Sequence, residues 1–181
     1  QGFLTVRRYT LRAHFEAPDG RAVSTEPFKY DSVEREALDA VLMLLHSPRE
    51  GHPADPYVCV RTALRPPVAL RSERALTVPD ARTDGVLWEL PAGLIEKGAT
   101  GEEAIRETAA RETLEETGYA VEARAFERLG CAVYLSPGLC AEKLHVVRAE
   151  VDRLRGGEPT ATETVELASR FEWWPLEEAL S

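Results

Sequence analysis

Arg111-Glu112-Thr113-Leu114-Glu115-Glu116-Thr117-Gly118-Tyr119, preceded by Glu89-Leu90-Pro91-Ala92-Gly93, decides how this chain reads. On a helix, Glu112, Glu115 and Glu116 stand at i, i+3 and i+4, and 3.6 residues per turn brings those positions together on one face. Carboxylates crowded this way repel unless a cation is shared, and hard divalent ions such as Mg²⁺ or Mn²⁺ are what clustered carboxylate oxygens hold well. A bare pair of glutamates marks a solvated helix face in most proteins. Here the surroundings argue otherwise. A strand-like run over 86–90 ends in a Pro-Ala-Gly turn that feeds the helix, Arg111 directly precedes the first carboxylate, and Gly118 supplies a natural C-terminal stop.

Working outward, Thr100 and Glu103 form a T-x-x-E capping box, so the helix is expected to begin near Gly101. Ile105, Ala109, Ala110 and Leu114 are expected on its core side, leaving the glutamates to face out. Upstream, 3–17 and 21–30 read as the two legs of a hairpin around the turn Pro18-Asp19-Gly20. The apolar run 38–45 is short enough for a buried strand and is expected to pair with 57–64 across the loop 47–55. Downstream, 129–135, 143–151 and 169–174 read as strands and 153–163 as a loop. Pro175 is expected at the first position of a closing helix with Glu177 and Glu178 in its first turn. Strands on both sides of a helix imply an α/β fold, a sandwich around a mixed sheet. There is no internal repeat or low-complexity linker, and the chain divides into an N-terminal hairpin extension over 1–36 and one domain over 37–181.

Composition narrows the classes of function. A chain of 181 residues, 44% hydrophobic and 29% charged, is the size and make-up of one globular domain with a real core. A net charge of −9 with no basic stripe disfavours nucleic acid as a partner. No apolar run approaches membrane-spanning length, so no membrane is expected. Cys59, Cys131 and Cys140 are odd in number and lack CxxC spacing, which disfavours a disulfide framework and a zinc site. A cytoplasmic, reducing setting is the expectation. The start at Gln1 rather than Met reads as a trimmed end.

At these residues the chain resembles the Nudix hydrolases, whose box reads Gly-x5-Glu-x7-Arg-Glu-U-x-Glu-Glu-x-Gly-U with U a bulky apolar residue. The second half matches from Arg111 to Tyr119, with Thr113 at the first U. Gly93 fits the opening glycine, but Ala99 stands where the first Glu belongs, and the span from Gly93 to Arg111 is four residues longer than the pattern. Glu103, eight residues before Arg111, is the expected replacement. The motifs Arg65-Pro66-Pro67, Glu89-Leu90-Pro91-Ala92-Gly93 and Ser136-Pro137-Gly138 with Glu142 resemble the ADP-ribose pyrophosphatase branch and its nucleoside-diphosphate-sugar relatives.

The resemblance implies a Nudix-type α/β/α sandwich around a mixed sheet and a Mg²⁺- or Mn²⁺-dependent pyrophosphohydrolase. Its substrate would be ADP-ribose or a related nucleoside-diphosphate sugar, split into a nucleoside monophosphate and a sugar phosphate. It implies metal ligation by Glu112, Glu115, Glu116 and the carbonyl of Ala92, with Arg111 orienting the carboxylates. It places the general base on a late loop, where Glu158, Glu163 and Glu166 are available and Glu163 is preferred. Arg65 would clamp a phosphate, with Glu89, Gly138 and Glu142 around the substrate and Phe28 or Tyr30 stacking on the base. It also implies a homodimer built through the N-terminal hairpin. Two alternatives stand beside this reading: a pyrophosphatase for UDP- or GDP-sugars, and a Nudix module that binds a nucleotide sugar without turning it over.

Overall fold

The computed structural model describes residues 4–82, 84–160 and 169–181. The N-terminal hairpin has both legs broken. β1 (Thr5–Leu11) and β2 (His14–Glu16) run out, and β3 (Ala22–Ser24) and β4 (Phe28–Glu34) return. β1 pairs β4 from Thr5↔Glu34 to Leu11↔Phe28, while β2 pairs β3 as a separate ladder. The expectation of two unbroken strands fails at Pro27, which has no N–H to continue a ladder. The gap is closed instead by Thr25 N–H donating to the Ala13 carbonyl (3.0 Å) and Ala13 N–H donating to Thr25 Oγ1 (3.1 Å).

The main sheet grows from two apolar strands. β5 (Asp39–Ser47) and β6 (Tyr57–Leu64) occupy the expected runs, the latter with the expected bounds. They pair only at His46↔Val58 and Ser47↔Tyr57, then splay. Arg65 precedes a short helix, α1 (Pro66–Ala69), whose prolines sit where helix-start N–H groups have no partner anyway. β7 (Val86–Glu89) then pairs the far half of β6, and β8 (Ala92–Leu94) pairs the near half of β5. The Leu90-Pro91 corner thus drives into a fork between two strands, fixed by Met43 N–H donating to the Pro91 carbonyl (2.9 Å).

The helix α2 (Gly101–Thr117) follows. The expected strand over 129–135 is instead two short pieces, β9 (Glu127–Arg128) and β10 (Val133–Tyr134), interrupted at Gly130 with φ 63°. Both pair β11 (Lys143–Glu150), which runs parallel to β5 from Lys143↔Asp39 to Glu150↔His46. β12 (Phe171–Pro175) closes the outer edge of β6, and α3 (Leu176–Ala179) follows. Pro175 therefore ends a strand rather than opening the helix, while Glu177 and Glu178 do lie in the first turn. One parallel pairing among antiparallel ones makes the sheet mixed, as an α/β fold of this kind requires.

α2 lies on the sheet face that carries Val41, Met43, Leu45, Cys59, Val147 and Ala149, all buried. It meets them with Ala104, Ile105, Ala109 and Thr113. Leu114 does not join this face. At about 100° per residue, nine positions from Ile105 is half a revolution too far, and Leu114 is 45% exposed. The same arithmetic turns Glu116, eleven positions from Ile105, inward. It is 3% exposed, so the expectation that all the glutamates face out is wrong for this residue. The capping box is also absent, since Thr100 makes no side-chain cap bond, whereas Gly118 ends the helix in the left-handed conformation at φ 74°. On the other face of the sheet, Trp88 and Trp174 meet with ring centres 4.7 Å apart. Among the described residues no helix is long and apolar enough to cross a membrane.

Candidate active site

The fork sets the site. The strand alternation that buries Cys59 against α2 also sends Arg61 to that face, and Arg61 is 6% exposed. It ion-pairs with Glu116 from α2 and reaches Glu89 at the end of β7 (3.3 Å). Glu89 is in turn held by Arg65, whose Nε and Nη2 donate to its two oxygens at 3.0 and 2.6 Å. Glu116 also accepts the Ala92 N–H (3.1 Å). A continuous line of alternating charge therefore runs from half-exposed Arg65 through Glu89 and Arg61 to buried Glu116 and the backbone of the turn. Arg61 went unread in the sequence. Its signal was a single charge inside the apolar strand 57–64, two places from Cys59 and thus on the same side.

A second arginine serves the outer carboxylates. Arg111 donates from Nη2 to Glu112 (2.8 Å) and from Nη1 to Glu115 (2.9 Å), so one guanidinium spans both. Glu112 lies directly against Gly93, where a Cβ would meet its carboxylate end and push that side chain off the turn. The three glutamates and the turn offer oxygen donors alone, the chemistry of a hard divalent ion. The glycine cradle brings one of them to the backbone of the turn. Among the described residues, no three acidic, His or Cys side chains converge as a ligand set. Instead, Arg61 and Arg111 engage the carboxylates. The donor set fits Mg²⁺ or Mn²⁺ in kind, with arginines as the competing partners.

The other expected residues are distributed unevenly. Glu103 is exposed and has no hydrogen bond or ion pair among the described residues, and Ala99 lies on the loop before α2. The extra residues thus add about one turn at the helix start, and Glu103 does not stand in for the missing first glutamate of the box. Glu142 pairs with Arg35 (2.8 Å), and the Gly138 carbonyl accepts from Tyr30 Oη (2.7 Å). With Val33 N–H donating to the Leu139 carbonyl (2.9 Å), these contacts tie β4 to the loop 136–142. Phe28 is exposed, two residues from Tyr30 on the same strand. No hydrogen bond or ion pair among the described residues joins this group to Arg65 and Glu89.

Glu163 and Glu166 lie outside the described residues, and Glu158 is exposed. The chain that leads to them is docked on the end of α2. Gly157 N–H donates to the Gly118 carbonyl (3.0 Å) and Thr160 N–H to the Glu115 carbonyl (2.9 Å). Cys59 is a buried free thiol whose pKa is pushed up to about 12 by burial, with the charge of Glu116 adding to the effect. It is inert as a nucleophile. Comparison with protein-family models matches the NUDIX domain to residues 65–181. Comparison with curated proteins found no match.

Proposed function

The chain belongs to the NUDIX family and is a hydrolase acting on phosphoric anhydrides, and from that premise we propose that it cleaves ADP-ribose or a related nucleoside-diphosphate sugar. The products are a nucleoside monophosphate and a sugar phosphate. The observation that carries the reading is the bidentate Arg65–Glu89 pair at the mouth of the fork, in line with the glutamates of α2. A half-exposed guanidinium oriented by Glu89 along its Nε–Nη2 edge keeps further N–H donors on Nη1 and Nη2 for a diphosphate oxygen.

Glu112, Glu115, Glu116 and the Ala92 carbonyl would hold Mg²⁺ or Mn²⁺. Bound there, such an ion supplies charge neutralisation on the anhydride and a more acidic water. Arg111 keeps Glu112 and Glu115 in register for that task. Glu163 would take the proton from the attacking water. Gly138 and Glu142 line the sugar side, and Phe28 or Tyr30 stacks on the base. The hairpin supports a homodimer in this reading, because Val6, Phe15, Leu11 and Phe28 are all exposed in the single chain and a two-stranded ribbon is marginal alone. The chain acts in the cytoplasm, a setting that suits its free cysteines.

The test is incubation with Mg²⁺ and a panel of ADP-ribose, UDP- and GDP-sugars, dinucleotides and coenzyme A, with products identified by mass. ADP-ribose is expected to give AMP and ribose 5-phosphate. Preferential cleavage of a UDP- or GDP-sugar would reassign the base. Tight binding with no turnover of any compound would favour the non-catalytic module.

A further inference from the structure

An arginine that is almost fully buried is held by compensation, since an unpaired charge in that setting is costly. Arg61 shares itself between Glu116 and Glu89, its Nε has no hydrogen-bond partner among the described residues, and Glu89 has a second cation in Arg65. Glu89 keeps a partner if Arg61 shifts, and Arg61 keeps Glu89 if Glu116 is taken. Glu116 holds the one position on the glutamate face that points into the core, beside the Ala92 N–H.

We propose that Arg61 is a resident counter-cation of Glu116, a positioning residue that holds this carboxylate in the metal-free protein and yields it when a divalent cation binds. Arg61 and the cation are alternative partners for one carboxylate, and Glu89 is where the guanidinium rests in either state. This rests on the metal reading given above. It adds that the chain carries its own competitor, so cation affinity is set by a residue outside the ligand set. Two like charges within several ångströms in a half-screened interior repel strongly enough to change a dissociation constant by about tenfold or more.

The experiment is Mn²⁺ binding by electron paramagnetic resonance or calorimetry on the full chain, alongside thermal unfolding in chelator and in Mg²⁺. Arg61→Gln is expected to tighten Mn²⁺ by about tenfold, to lower the unfolding midpoint in chelator, and to show a larger Mg²⁺-induced rise than wild type. Arg61→Lys keeps the charge and is expected to stay within about threefold of the wild-type constant. A purely structural role would lower the midpoint without tightening the metal. If Arg61→Gln does not fold in chelator, circular dichroism is expected to show it folding as Mn²⁺ is added. Mn²⁺ affinity equal to or weaker than wild type in Arg61→Gln, or no recovery of fold at any Mn²⁺ concentration, overturns the inference while leaving the metal reading intact. A wild-type protein that binds no Mn²⁺ removes both.

Discussion

Glu116→Gln separates the inward carboxylate from its neighbours. Glu116 is nearly inaccessible, pairs with a buried arginine and accepts a backbone N–H. Removing one member of a buried ion pair costs roughly 3–5 kcal/mol because the other charge is left behind. Two features reduce that figure. Glutamine keeps the volume and can still accept from Ala92, retaining about 1 kcal/mol, and Arg61 keeps Glu89. The net expectation in metal-free buffer is a loss of about 2–4 kcal/mol, which for a chain of this size lowers the unfolding midpoint by roughly 5–12 °C. Differential scanning calorimetry or circular dichroism in chelator reads the shift directly. A midpoint within about 2 °C of wild type would refute the argument, since it would mean that Glu116 is solvated and its pairing with Arg61 contributes nothing.

Glu115→Gln should behave in the opposite way: its side chain is 44% exposed and, among the described residues, is engaged by Arg111, so stability should change by less than about 1 kcal/mol while steady-state turnover falls on the order of a hundredfold. Gly118→Ala puts a Cβ on a residue at φ 74° and 2.5 Å from the Gly157 carbonyl group; chemical denaturation should show a loss of about 2–3 kcal/mol or more. A thiol reagent at pH 8 should label Cys131 and Cys140 in the native protein and Cys59 only after unfolding. Because the folded Cys59 value is raised, the stability it contributes is complete below its unfolded value near ~8.5 and is lost as pH climbs through about 12. Light scattering at micromolar concentration should give a dimer, and removing the residues up to Tyr30 should give monomer or aggregate with weaker substrate binding and retained Mn²⁺ binding.

Much of this fold was written in local pattern. The apolar runs became β5 and β6 because a strand buried on both faces has little room for polar residues, and the turn, helix and Gly118 stop followed from propensity and chirality. What could not be read came from long-range partners. Arg61 looked like an interruption of a strand until α2 supplied Glu116. Leu114 looked like core until the phase of α2 was fixed by Ile105, Ala109 and Thr113 against the sheet. Glu103 stands at a spacing that a pattern counts as meaningful, but the helix starts before it and leaves it in solvent. The broken hairpin was a local matter after all, since Pro27 carried the signal.

Gly118 and Gly157 touch backbone to backbone: a Cβ on the first would lie 2.5 Å from the carbonyl of the second, and a Cβ on the second 2.7 Å from the Gly118 oxygen. For the history of such a chain, the two positions form a single heritable constraint. A side chain at either would strike main chain, which cannot be trimmed by a compensating substitution at the other. The constraint thereby outlives changes elsewhere on the surface, because it keeps the chain from Gly157 to Thr160 fixed beside the last turn of α2 and its glutamates.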